Sequence, residues 1–136
     1  MATVFEKLNL KDQSAIVVLN GPSSFEPEIA RLLGIKVHRS LEGLSEIQFS
    51  LAFVTRLSEV DALAPQIAKR AKGDAIVWFA YPKGTSKKYK CDFNRDTGWA
   101  LLNKAGFETV RAIAIDEDWS ALRFRRSEFV KARPKS

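Results

Sequence analysis

The chain has 136 residues, with 22 Lys and Arg against 16 Asp and Glu, for a net charge of +6. That length suits one domain with a real core, and 46% hydrophobic with 28% charged residues is the balance of a globular chain, not a disordered one. No apolar run approaches the roughly 18 residues that a membrane span needs, the start lacks the basic-then-apolar layout of a signal peptide, and a single cysteine, Cys91, excludes a disulfide framework or a cysteine-rich zinc site. The expectation is a cytoplasmic domain over 1–126 with a basic, flexible tail over 127–136.

The first strong signal is the run from Ser14 to Asn20, apolar throughout, which reads as a strand buried on both faces of a parallel sheet. A turn at Gly21-Pro22-Ser23-Ser24 follows. Ser23 and Glu26 have capping-box spacing, and Ile29, Leu32 and Leu33 give the next helix an apolar face before Gly34 stops it. Ile35 to Arg39 reads as a second short strand, and the polar segment from Ser40 to Glu46 as a connection. Phe49 to Thr55 is the third strand.

Ser58 and Asp61 offer a further capping box, and Val60, Leu63, Ala64, Ile67, Ala68 and Ala71 recur at helical spacing. Pro65 is expected to break or kink that helix near Ala62 to Ala64, and Gly73 to end it. Asp74 to Tyr81 is the fourth strand, closed by Pro82. After a basic loop, Asp96 or Thr97 is positioned to cap a helix carrying Trp99, Leu101, Leu102 and Ala105, stopped by Gly106. Phe107 to Ile115 and Trp119 to Arg126 are the last strands. Their connection is too short for a crossover helix, so they pair antiparallel. Alternating strands and helices with such an edge make a three-layer α/β, Rossmann-like domain.

The positive charge is concentrated. Lys83, Lys87, Lys88, Lys90 and Arg95 stand against Asp92 alone. From Arg123 onward six basic residues face only Glu128, which leaves the rest of the chain mildly acidic. Such segments either attract an anionic partner, nucleic acid included, or are simply solvated. The run Tyr81-Pro82-Lys83-Gly84-Thr85-Ser86-Lys87-Lys88 leaves the carboxyl end of a parallel strand, where open α/β sheets bind ligands. Gly84, Thr85 and Ser86 supply amides and hydroxyls and the lysines supply charge, the composition of an anion-binding loop without Walker spacing. Asn20, Gly21, Ser23 and Ser24 open at the same edge, with Trp78 or Tyr81 as an aromatic wall. On the last strand Trp119, Ala121, Arg123 and Arg125 share one face. Leu122 and Phe124 belong to the core, so Trp119, Arg123 and Arg125 make a candidate partner surface for bases or phosphates, or a surface paired with Glu117 or Glu108.

Three remaining features carry less chemistry. His38 is the lone histidine, Cys91 has cationic neighbours expected to lower its thiol pKa but no partner, and Asp116-Glu117-Asp118 reads as a solvated turn. No catalytic residue and no metal site are expected.

The stretch from Phe53-Val-Thr-Arg to Ala71-Lys-Gly-Asp-Ala-Ile-Val-Trp, with Ala105-Gly106-Phe107 before a closing hairpin, resembles the later part of the class I S-adenosylmethionine-dependent methyltransferases. That resemblance implies strand order 2-1-3-4-6-5, one strand-helix unit short of the full fold. Trp78-Phe-Ala-Tyr-Pro-Lys83 and Asp116-Glu-Asp-Trp-Ser-Ala-Leu-Arg-Phe-Arg125 resemble, more closely, a small bacterial family of single-domain proteins without an assigned function. The methyltransferase resemblance also implies a cofactor site: a glycine-rich turn after the first strand, an acid ending the second, and an acid near the third. Here the turn holds only Gly21 and a proline. Val37-His38-Arg39 ends the second strand with the wrong sign, and Glu46 is displaced. The leading expectation is therefore a non-enzymatic binding domain for an anionic ligand, held by the loops after strands one and four. The alternative is an S-adenosylmethionine-dependent methyltransferase with an atypical cofactor site.

Overall fold

The computed structural model describes residues 4–10, 13–32, 34–93 and 99–131. The described elements are α1 (Val4–Lys7), β1 (Ala15–Leu19), a 3-10 turn (Ser23–Phe25) running into α2 (Glu26–Ala30), β2 (Lys36–His38), β3 (Ile47–Phe53), α3 (Leu57–Arg70), β4 (Ala71–Pro82), α4 (Ala100–Lys104), β5 (Phe107–Ala114), β6 (Trp119–Arg126) and α5 (Ser127–Lys131). The strands form one sheet in the order β2-β1-β3-β4-β6-β5. The first four are parallel, and β6 joins β4 and β5 antiparallel. The fold is thus the α/β arrangement expected, with the expected order and closing hairpin.

The apolar runs follow from burial on both faces. In β1, Val17 and Leu19 enter the core beneath α3 and α4, while Ile16 and Val18 enter the core beneath α1 and α2. The second core is larger than the sequence suggested, because α1 and the turn after it bring Val4, Phe5 and Leu8 onto that face. Trp78 is wholly buried there, 0% exposed, and its indole N–H donates to the Leu8 carbonyl at 2.8 Å. It forms no aromatic wall. Trp119, 3% exposed, lies in the same core against Phe53 and Tyr89 at ring distances of 5.0 and 4.9 Å, so it too is withdrawn from any partner surface. A face opposite to Leu122 and Phe124 is a second interior here, not an outside.

Four local expectations are corrected. The Ser23–Glu26 capping box does not form: the helix there is short, and Glu26 pairs instead with Arg39 through two hydrogen bonds of 2.7 and 2.9 Å. Helix α3 begins at Leu57, before Ser58, because the Glu59 carboxylate reaches back to accept the amides of Thr55 (2.7 Å) and Arg56 (3.1 Å). Pro65 does not break it, and the helix runs through to Arg70. Both Pro65 and Asp61, whose carbonyl loses a donor, are on the exposed side, where water serves as the substitute. Gly73 falls inside β4, not at a helix end. With φ of +56° it makes a bulge between the pairs Ile47↔Ala71 and Phe49↔Ile76. The expected caps Asp96 and Thr97 lie outside the described residues. Past β6, α5 occupies the first part of the tail placed at 127–136, and residues 132–136 lie outside the described residues.

Candidate functional site

At the carboxyl end of β4 the chain forms an open cavity of about 710 Å³, lined chiefly by Tyr81, Lys83, Gly84, Thr85, Ser86, Tyr89, Lys90, Cys91 and Phe93, with Ser120 from β6. Its wall is built by hydrogen bonds that the loop sequence supplies. The Lys83 amide donates to the Asp118 carbonyl at 2.8 Å and the Ser86 amide to the Lys83 carbonyl at 3.0 Å, closing a turn over Gly84 and Thr85. The Ser86 hydroxyl donates to Asp118 Oδ1 at 2.9 Å and accepts the amides of Tyr89 (3.1 Å) and Lys88 (3.3 Å). Asp118 is itself held by Asp116, whose Oδ1 accepts the amides of Asp118 and Trp119 at 2.8 and 2.9 Å. Asp116 is therefore spent on turn geometry.

An aromatic group forms the apolar side. Tyr81 packs against Phe93 and Trp99, with ring centroids 6.2 and 6.1 Å away, and Phe93 meets Trp99 edge-on at 5.2 Å. The segment carrying Phe93 is tied to the start of α3, where the Asp92 carboxylate accepts the Leu57 amide at 2.6 Å. Cys91 lines the same cavity half-buried, and its thiol is pushed up from the ordinary value: burial is the main cause, with the Asp92 and Glu59 carboxylates adding to it against a backbone hydrogen bond. The lowering expected from neighbouring cations is thus reversed.

Of the residues singled out in the basic loop, Lys83, Gly84, Thr85 and Ser86 line the cavity, while Lys87 and Lys88 are exposed and outside its lining. Lys90 lines it and was missed in the sequence, where nothing set it apart from its neighbours. Ser86 is occupied as a staple. The amides of Gly84 and Thr85 have no acceptor among the described residues and remain available. Tyr81 supplies aromatic wall without Trp78.

The first loop sits elsewhere. Asn20 takes φ of +57°, and Ser23 and Ser24 are exposed on the 3-10 turn. Phe25, next in line, is buried between Phe5 and Phe53, with centroids 5.5 and 5.0 Å away. Ser24 borders a separate depression of about 320 Å³ with Glu28, Arg31 and Asp116. Asn20, Gly21, Ser23 and Ser24 therefore share the sheet's carboxyl edge with the basic loop but line none of its cavity. His38 borders a third depression, of about 290 Å³, beside Glu46 and Gln48. Among the described residues no group of His, Cys, Asp and Glu has the disposition of a metal site, and no helix is long and apolar enough to cross a membrane.

No protein-family model and no curated protein sequence matches the chain. Solved structures do. A SAM-dependent methyltransferase from Aquifex aeolicus superposes with a TM-score of 0.62 at 11% identity, over 90% of this chain and 87% of that one. The N-methyltransferase NodS from Bradyrhizobium japonicum gives 0.56 at 12% identity, over 89% and 91%. A ribosomal protein L11 methylase from Lactobacillus delbrueckii subsp. bulgaricus gives 0.59 at 11% identity, over 90% and 76%. At such identities the likeness concerns the path of the chain, and what it establishes is a methyltransferase-like fold.

Proposed function

We propose that this chain is a binding domain on a methyltransferase-like fold, taking an anionic ligand in the cavity beyond β4. The observation that carries the reading is the pairing of two unbonded amides, Gly84 and Thr85, with Lys83 and Lys90 around one cavity whose other side is Tyr81 and Phe93. Amides and ammonium groups converging on a partly desolvated space favour a carboxylate or phosphate, and the rings favour a flat apolar body attached to it. Titrating ¹⁵N-labelled protein with pyrophosphate tests it. The Gly84 and Thr85 amide signals shift in the native chain and stay still in the K83E/K90E variant. Signals unmoved in the native chain would refute the cavity as an anion site.

A second reading, S-adenosylmethionine-dependent methyl transfer, is the one the fold neighbours favour, because the solved structures named above are methyltransferases and the Aquifex aeolicus one is SAM-dependent. The residues at the β1–β2 edge do not fit the usual way of holding that cofactor. His38 and Arg39 stand where a carboxylate would meet the ribose. Arg39 is committed to Glu26, and Phe25 fills the space beneath the first turn. The deciding measurement is calorimetric titration with S-adenosylhomocysteine. A micromolar dissociation constant supports methyl transfer through an atypical site; absence of heat at two temperatures retires it.

A further inference from the structure

The second feature that asks for a ligand lies away from the cavity, on the face of β4, β6 and β5 that continues the core beneath α1. Register places Arg123 in a cross-strand row between Trp78 of β4 and Arg111 of β5. Paired residues of antiparallel strands project to the same side, with Cβ atoms about 5 Å apart. The alternation alone would not set Arg111 there. Thr109 pairs with Phe124, so Val110 should oppose Arg123; an irregularity at Val110 skips that residue and brings Arg111 opposite instead, leaving Val110 39% exposed.

That arrangement is unfavourable as it stands. Like charges directly opposite on neighbouring strands repel, and Arg123 is half-buried, with its Nε–H fully buried and without an acceptor among the described residues. Asp74 is committed elsewhere, gripping Arg125 through both carboxylate oxygens at 2.8 and 2.7 Å, and Glu108 also stands opposite Arg125 in the register. Burial disfavours the Arg123 cation and the charges of Arg125 and Arg111 add to that, with Asp74 alone opposing. Among the described residues, Arg125 thus has the carboxylates of Asp74 and Glu108 beside it, while Arg123 and the exposed Arg111 form no ion pair.

We infer that Arg111 and Arg123 form a binding site for a phosphate-type oxyanion, which bridges the two strands by accepting from both guanidinium groups. The planar donor forks match such an ion, its double charge cancels their repulsion, and its oxygens accept from the outer N–H groups of the two guanidinium ends, drawing Arg123 into a charge-neutral environment. Arg125, held by Asp74, forms the fixed rim. The site stands independently of the cavity, so the two readings fail separately.

The test is a titration with inorganic phosphate at low, matched ionic strength, followed through the arginine Nε–Hε signals of ¹⁵N-labelled protein. Arg123 and Arg111 are expected to shift together and saturate. R111S, an exposed substitution that leaves the core intact, is expected to bind about tenfold more weakly, the loss of one charge-assisted contact. K83E, in the cavity, is expected to bind phosphate here as the native chain does. Stationary Arg123 and Arg111 signals, or unchanged affinity in R111S, would overturn the inference.

Discussion

Removal of the Ser86 hydroxyl gives the sharpest test of how the cavity wall is held. Ser86→Ala deletes one donor to the Asp118 carboxylate and the acceptor for the Tyr89 and Lys88 amides. A hydrogen bond to a charged group contributes about 1.5–3 kcal/mol and a neutral one about 0.5–1.5 kcal/mol. All three contacts are partly or fully solvated, so water recovers a share, and about 2 kcal/mol of lost stability is expected. With an unfolding entropy of about 2.1 cal/mol/K per residue, that lowers the melting temperature of this chain by about 7 °C. The assay is a double-mutant cycle of Ser86→Ala and Asp118→Ala by thermal and urea unfolding. Asp118→Ala leaves in place the bond from the Lys83 amide, which goes to the Asp118 backbone. A coupling of about 1 kcal/mol is expected. Additivity to within about 0.4 kcal/mol would show that the pair is not joined in solution.

Two further predictions concern pH. Glu26 is held below its ordinary value of 4.5, first by its hydrogen bond to Arg39 and then by that charge. A depressed folded value means the pair stabilises above the unfolded value and stops doing so as pH falls through the folded one. The difference in melting temperature between the native chain and E26Q should therefore be present near neutrality and shrink away as pH falls well below 4.5; a pH-independent difference would count against the pair. Cys91 runs the opposite way: burial raises its thiol above the ordinary 9.0, so the neutral form is favoured on folding, and that stability is lost as pH rises past the unfolded value. Its alkylation rate should still be climbing at pH 9, and a plateau before about pH 8 would contradict the burial argument.

The strands were readable because both faces of the sheet are covered, which turns β1, β3 and β4 into continuous apolar runs. The closing hairpin was readable from its short connection. The roles of Trp78 and Trp119 were not. Trp119 was placed by the assumption that one side of the last strand meets solvent, and Trp78 by its nearness to the carboxyl edge of the fourth strand, whereas α1 covers part of that side. A helix of four residues is too short to show a period in sequence. Glu59 was passed over as a cap because a carboxylate reaching back to two amides looks, in sequence, like any exposed acid. In the cavity, composition identified Lys83 to Ser86, since glycine and hydroxyl residues beside lysine mark a loop. It did not separate Ser86, a staple, from Thr85, whose amide is free, because that distinction depends on Asp118, 32 residues away.

The two outer strands of the sheet differ in how they meet other chains. An open strand edge presents unpaired amides and carbonyls that another extended segment can join. Strand β2 has three residues, too few to template such an addition. Strand β5 has eight and is mostly exposed, yet the skipped residue at Val110 interrupts its hydrogen-bonding rhythm and charged side chains at Glu108 and Arg111 flank the break. The irregularity that sets Arg111 against Arg123 thereby also guards the longer edge: straightening it by deleting Val110 would restore an unbroken ribbon along the margin and turn the chain toward edge-to-edge self-association.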